Sequence, residues 1–216
     1  MAAPPDPQAE YVRQLLGERG DHLLRDLERD AAARGLPIAG PSVGQFLVAL
    51  ARLQGAHELL ELGTANGYTS IWLGRYARDT GGRVTTVERD AAMVQEARGH
   101  LAKAGLDGVV EVVHKDALAF LQETDAQFDL VFLDIDKHEY ASALPPAVER
   151  LRPRAVLVAD NAGFPEARPY NSLALSDERL ETTLLHGFWP GHSPEWDALC
   201  VSVRRSGPAA RPAPLG

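Results

Sequence analysis

Cysteine is almost missing from this sequence. Cys200 is the only one in 216 residues, so no disulfide can form within the chain and a reducing, cytoplasmic setting is expected. Long apolar runs are missing too. None approaches the ~18–20 residues that span a bilayer, which excludes a membrane-spanning helix. The opening Met1-Ala2-Ala3-Pro4-Pro5-Asp6-Pro7 carries neither the basic nor the apolar region of a signal peptide. An excess of positive charge is also absent. The formal charge is −8, which argues against a nucleic-acid backbone or an anionic membrane as partner. Lysine is scarce: Lys103, Lys115 and Lys137 are the only three among 22 basic residues. Arginine cannot be deprotonated in a protein, whereas lysine can be tuned into a base, so each retained lysine draws interest.

What is present is ample apolar material, 45% of residues, in a chain long enough for one well-cored domain. Residues 1–7 and 206–216 are rich in Pro, Ala and Gly and are expected to be disordered tails. Residues 8–205 are expected to form a single domain, with N-terminal helices over 8–54 and a core over 55–205. Val12, Leu15, Leu16, Leu23, Leu24 and Leu27 recur at helical spacing within 8–35, and a second helix starts at Pro41-Ser42. Strands at 57–62, 83–88, 109–114, 128–134 and 155–160 alternate with helices at 69–78, 91–104, 117–122 and 138–151. The last of these helices is interrupted near Pro145-Pro146. Strict alternation implies a parallel sheet with right-handed crossovers. Leu180–His186 and Ala198–Arg204 then read as strands with no helix between them, an antiparallel hairpin at one sheet edge.

Two apolar strands end on oxygen donors. Phe128–Leu133 runs into Asp134, with Lys137 three residues on, and Ala155–Ala159 runs into Asp160-Asn161. Parallel strands bring their carboxyl ends to one edge, where open α/β sheets bind ligands. Asp134, Asp160 and Asn161 would then meet beside a lysine able to act as a base. Oxygen donors suit Mg²⁺, Mn²⁺ or Ca²⁺ and are poor for zinc. Read singly, Asp134 also serves as a helix N-cap, and Asp160-Asn161 as turn formers.

The first strand leads into Glu61-Leu62-Gly63-Thr64-Ala65-Asn66-Gly67-Tyr68-Thr69-Ser70. Gly63 and Gly67 allow a sharp turn and close approach to a ligand at a helix N-terminus. Glu88 closes the second strand, where an acid can accept hydrogen bonds from ribose hydroxyls, and Asp116 ends the third. The second glycine of the G-x-G-x-x-G fingerprint is missing, which favours an adenosine cofactor other than NAD.

With these segments the chain resembles the class I S-adenosylmethionine-dependent methyltransferases, and within them the cation-dependent O-methyltransferases of the catechol and caffeoyl-CoA type. The resemblance runs from about Pro41 to Arg205, strongest at Glu61–Ser70, Thr86–Asp90, Asp129–Tyr140 and Val158–Asn161. It implies an α/β, Rossmann-like, doubly wound sheet of seven mostly parallel strands, with an antiparallel C-terminal hairpin and N-terminal helices. It implies that Glu61, Gly63 and Thr69 hold the methionine end of S-adenosylmethionine, with Gly67 also among the cofactor-binding residues. Glu88 would take the ribose, Asp116-Ala117 the adenine border and Val43 the covering helix. Asp134 would border the cofactor and also hold a metal (Mg²⁺, Mn²⁺ or Ca²⁺) with Asp160 and Asn161, while Lys137 is the catalytic base. The expected partners are a small hydroxylated acceptor and a second copy of the chain. Metal-independent transfer to nitrogen or carboxylate, and cofactor binding without turnover, are the rival readings. After Asn161 the family's Trp-containing stretch gives way to Ala162-Gly163-Phe164-Pro165-Glu166. Trp189 and Trp196 lie in a Gly- and Pro-rich insertion, as a substrate wall or as core.

Overall fold

A computed structural model describes residues 7–17 and 21–207; 1–6, 18–20 and 208–216, which include most of the expected tails, lie outside the described residues. The strands are β1 (Glu58–Leu62), β2 (Arg83–Glu88), β3 (Val110–His114), β4 (Phe128–Leu133), β5 (Leu151–Ala159), β6 (Leu180–Phe188) and β7 (Trp196–Arg204). Their order across the sheet is β3-β2-β1-β4-β5-β7-β6, parallel through β5 and antiparallel for β7 and β6. The helices are α1 (Pro7–Gly17), α2 (His22–Arg34), α3 (Gly40–Gln54), α4 (Tyr68–Thr80), α5 (Ala91–Lys103), α6 (Ala117–Glu123), α7 (Tyr140–Arg150) and α8 (Arg168–Ser176).

Period-two alternation of apolar residues explains the two cores. In β4, Leu130 and Phe132 enter one core with Val43, Leu47, Ile71 and Leu73 from α3 and α4. Val131 and Leu133 enter the other with Tyr140, Leu144 and Tyr170 from α7 and α8. Helices therefore cover both faces, which is why the central strands are apolar throughout. Strand order reverses between β1 and β4, whose Leu62 and Leu133 are in register. That reversal opens a crevice at the carboxyl ends of the strands.

Three elements differ from the sequence reading. The 8–35 stretch is two helices, because the Asp21 carboxylate accepts from the Leu23 N–H at 2.7 Å and starts α2 afresh. Pro145 and Pro146 do not interrupt α7; buried Leu144, Ala147 and Val148 hold that helix to the sheet through them. The helix α8 has no counterpart in the sequence reading: its apolar stripe is short, with Tyr170 and Ala174 buried one turn apart. Among the described residues, no helix is long and apolar enough to cross a membrane.

Candidate active site

The turn after β1 enters the crevice. Gly63 has φ +98° and Gly67 φ +84°, both in the region that side chains disfavour. A Cβ on Gly63 would stand 1.9 Å from the Asp134 carbonyl oxygen, so the two strand ends touch only because glycine is there. Gly63→Ala is expected to cost about 3 kcal/mol or more, read as a fall in the unfolding midpoint together with loss of S-adenosylhomocysteine binding.

A cavity of about 230 Å³ lies against this turn, lined among others by Gly63, Ala65, Glu88, Asp116, Ala117 and Asp134. Glu88 holds the turn as well as lining the cavity, accepting from the Ala65 N–H at 2.9 Å and the Asp90 N–H at 2.8 Å. Asp116 caps α6 through the Ala119 N–H at 3.0 Å. Val43, Glu61, Gly67 and Thr69 are not among the residues lining this cavity. Val43 is wholly buried in α3, and Gly67 and Thr69 form the start of α4 behind the turn.

Glu61 is 1% exposed, and its carboxyl takes hydrogen bonds from Thr86 Oγ1 at 2.6 Å and from Ser70 Oγ. Burial pushes its pKa up to about 8, against the lowering effect of the Ser70 and Thr86 hydroxyls. The folded state therefore binds this proton more tightly than the unfolded chain. The stability this contributes is fully present below the unfolded value and is lost as pH rises through about 8. Glu61→Gln is expected to flatten that loss, so urea unfolding at pH 5 and pH 9 should show a smaller stability difference than in the wild type. Equal pH slopes in the two proteins would rule this out.

The neighbouring strand ends complete the site. The Asp134 N–H donates to Leu62 O at 2.8 Å, and the Asp160 N–H to Leu133 O at 3.0 Å, which sets Gly63, Asp134 and Asp160 in a row. Lys137 Nζ donates to Asp134 Oδ1 at 3.2 Å and lies 5.7 Å from the Tyr140 ring centre. Burial first, and then the charge of Asp160, push the Asp134 carboxyl up to about 6, with Lys137 opposing them. Asn161 adopts φ +45°, which asparagine tolerates better than most residues. Its Nδ2 donates to Asp197 Oδ2 at 2.7 Å, which turns the amide oxygen the other way. Asp134, Lys137, Asp160 and Asn161 thus stand together at the ends of β4 and β5, with Asp134 also lining the cavity at the Gly63 turn.

The sequence reading missed two residues here, Asp197 and His192. His192 Nε2 lies 2.9 and 3.1 Å from the two Asp160 carboxylate oxygens. Burial would lower the imidazole pKa, but the hydrogen bond and charge of Asp160 outweigh it and carry it to about 9. Nothing in the spacing of the histidines points to this one, since it arrives on the β6–β7 connection, 32 residues beyond Asp160. Trp189 in that connection packs on Phe46 with ring centres 5.7 Å apart, whereas Trp196 is 55% exposed beside Phe188. Among the described residues, no three His, Cys, Asp or Glu side chains form a metal cluster by themselves; the donor set here includes the amide of Asn161.

A doubly wound sheet with a glycine turn after β1, an acid closing β2 and a cavity at the switch point is the architecture of a fold that binds a nucleoside-containing cofactor. A family model described as O-methyltransferase matches residues 18–166. The chain is 36% identical over 157 residues to a catechol O-methyltransferase of Niastella koreensis, covering 70% of each chain. An O-methyltransferase of Bacillus cereus solved in complex with S-adenosylhomocysteine is similar at 29% identity and TM-score 0.80, over 90% of this chain and 97% of that one. One of Streptomyces achromogenes, involved in tomaymycin synthesis and solved with S-adenosylmethionine, is similar at 28% identity and TM-score 0.77, over 87% and 92%. The chain belongs to the O-methyltransferase family, as an S-adenosylmethionine-dependent enzyme.

Proposed function

We propose that this enzyme methylates one hydroxyl of a small catechol-like or vicinal-diol acceptor, assisted by a divalent cation held by Asp134, Asp160 and Asn161, with Lys137 as base. The observation that carries this reading is the meeting of those four residues at the strand ends, with Asp134 bordering both the cofactor cavity and the acceptor side. The donor set fits a hard cation: two carboxylates whose charges oppose each other, and an amide whose nitrogen is already committed to Asp197. When bound, such an ion makes an acceptor hydroxyl more acidic and orients adjacent oxygens.

The chain's own residues supply the rest. Lys137 Nζ, having first given up its own proton to solvent, takes the hydroxyl proton, and Asp134 Oδ1 keeps that amine in place. The acceptor oxygen then forms its bond to the methyl carbon as the carbon–sulfur bond of S-adenosylmethionine breaks, leaving S-adenosylhomocysteine. Glu88 faces the ribose, Asp116 and Ala117 the adenine, and Gly63 allows the cofactor backbone-close approach. Alignment of the two reactants provides much of the acceleration.

Transfer of labelled methyl groups to a panel of catechols, single phenols, amines and carboxylic acids, with EDTA and with Mg²⁺ restored, tests this. Catechols should be preferred, and EDTA should abolish the rate. An EDTA-insensitive rate would make metal-independent transfer the better reading, and preference for amines or acids would overturn the acceptor.

We also propose a homodimer. Tyr11 and Leu15 on α1 and Leu184 on the edge strand β6 are exposed apolar residues, and Arg13 ties α1 to the β6–β7 connection through Glu195 at 2.7 Å. Light scattering should give a dimer for the full chain and a smaller species for residues 36 onward. A full-length chain that scatters as a monomer, or a chain from residue 36 onward that remains a dimer, would refute it.

A further inference from the structure

Trp196 opens β7 with 55% of its surface exposed, although a ring of that size is normally buried. Strand alternation puts it on the face of the sheet that carries Ala198 and Cys200 into the core with Tyr140 and Tyr170. Phe188 and His186 of β6 lie on the same face, opposite Trp196 and Ala198 in the antiparallel register. Their ring centres are 5.5 and 6.1 Å from that of Trp196. The three rings form one aromatic surface beyond Ala198.

A second wall comes from the segment after β5. Phe164, itself 39% exposed, and Pro165 line the same cleft as His186 and Trp196, with a volume of about 200 Å³. A volume of roughly 150 Å³ already admits one benzene ring, so this cleft takes a single planar ring and little more. Asp197 ties the two walls together: its Oδ1 accepts from the Gly163 N–H at 3.1 Å and the Ala198 N–H at 2.7 Å. A Cβ on Gly163 would stand 2.5 Å from that oxygen, so glycine is what lets the walls come together. Among the described residues lining the cleft there is no Lys or Arg, which suits an uncharged planar group and not an anionic one.

The cleft adjoins the reacting end of the site on two sides. Asp197 Oδ2 accepts from Asn161 Nδ2 at 2.7 Å, and the Phe164 N–H donates to Asn161 O at 3.2 Å. The turn Pro165–Ala167 lies against the turn Lys137–Glu139, which carries the base. We propose that the cleft seats a second planar ring of the acceptor, with Trp196 as its specificity-determining residue; this rests on the hydroxyl-transfer reading above. Catechols bearing an aryl or conjugated substituent are then preferred over catechol itself.

Steady-state kinetics of the full-length protein with catechol, 4-phenylcatechol and 4-cyclohexylcatechol, at saturating S-adenosylmethionine, test this. The wild type is expected to have a KM for 4-phenylcatechol at least about threefold below that for catechol, with the cyclohexyl compound between them. Trp196→Ala should raise the 4-phenylcatechol KM roughly three- to tenfold more than the catechol KM, and Trp196→Phe should recover most of the difference. Trp196 is exposed, so neither change empties the core. Independently of turnover, 4-phenylcatechol added to the S-adenosylhomocysteine-bound protein should alter tryptophan emission, and Trp196→Phe should lose that change. Equal KM changes for the two acceptors, or an undiminished emission change in Trp196→Phe, would overturn the proposal. So would light scattering in which Trp196→Ala splits a dimer while both KM values hold, since the cleft is then a contact between two copies of the chain. A wild type that methylates none of the three catechols would overturn the hydroxyl-transfer reading itself, while the emission change still decides whether the cleft takes a ring.

Discussion

Replacing Lys137 with alanine is expected to slow methyl transfer by roughly 10²–10⁴-fold, the usual worth of a positioned base, while S-adenosylhomocysteine affinity stays nearly unchanged. The side chain contributes no backbone cap or core packing that would confuse the result. It is partly exposed, it meets Asp134 Oδ1 at 3.2 Å, and the turn at Lys137–Glu139 is started by Asp136, which accepts from the His138 N–H at 3.1 Å. Lys137→Arg keeps the charge but cannot release its proton, so it should not restore the rate. Raising the pH should partly rescue Lys137→Ala, because an acceptor hydroxyl then ionises without help. Single-turnover rates against pH for the three proteins decide the matter. Should Lys137→Arg match the wild type, the lysine is a fixed charge and the base role is lost.

Asp160→Ala is expected to abolish cation-stimulated turnover, and to destabilise the protein as well. Asp160 and His192 are 2% and 1% exposed at their side chains, so removing the carboxylate leaves a buried imidazole without its partner. Breaking a buried pair in this way costs about 3–5 kcal/mol. Asp160→Asn separates the two effects, since the amide oxygen still accepts from His192 while the negative charge is gone. It should unfold within about 1 kcal/mol of the wild type, yet bind a divalent ion at least about tenfold more weakly. Calorimetric titration with Mn²⁺ and Mg²⁺, alongside urea unfolding, reads both. If Asp160→Asn binds cations as the wild type does, Asp160 is a partner of His192 and not a ligand.

Much of this site is legible in the sequence because it hangs on strand ends. An apolar run that stops at an acid marks both the strand and the edge at which it stops, so Asp134 and Asp160-Asn161 could be placed together before any coordinates. The same holds for Gly63, Gly67 and Glu88, whose positions follow from the strand–turn–helix pattern of a parallel sheet. Backbone hydrogen bonding and register, both local and periodic, carry those inferences. Tertiary structure alone decided the rest. β7 enters the sheet antiparallel beside β5, and its pairing of Ala159 with Cys200 swings the preceding loop over the ends of β4 and β5. Contacts of that loop with Gly40, Ser42 and Arg13, all far away in sequence, then set the imidazole of His192 against Asp160. Glu61 shows the same division in one residue. Its place in β1 just before the glycine turn was readable, but only the tertiary packing buried the carboxyl against Ser70 and Thr86, and that burial is what raises its pKa. Hydrophobic period and turn chemistry are written along the chain. Which polar groups are buried against each other depends on how distant segments close over them, and no spacing records that.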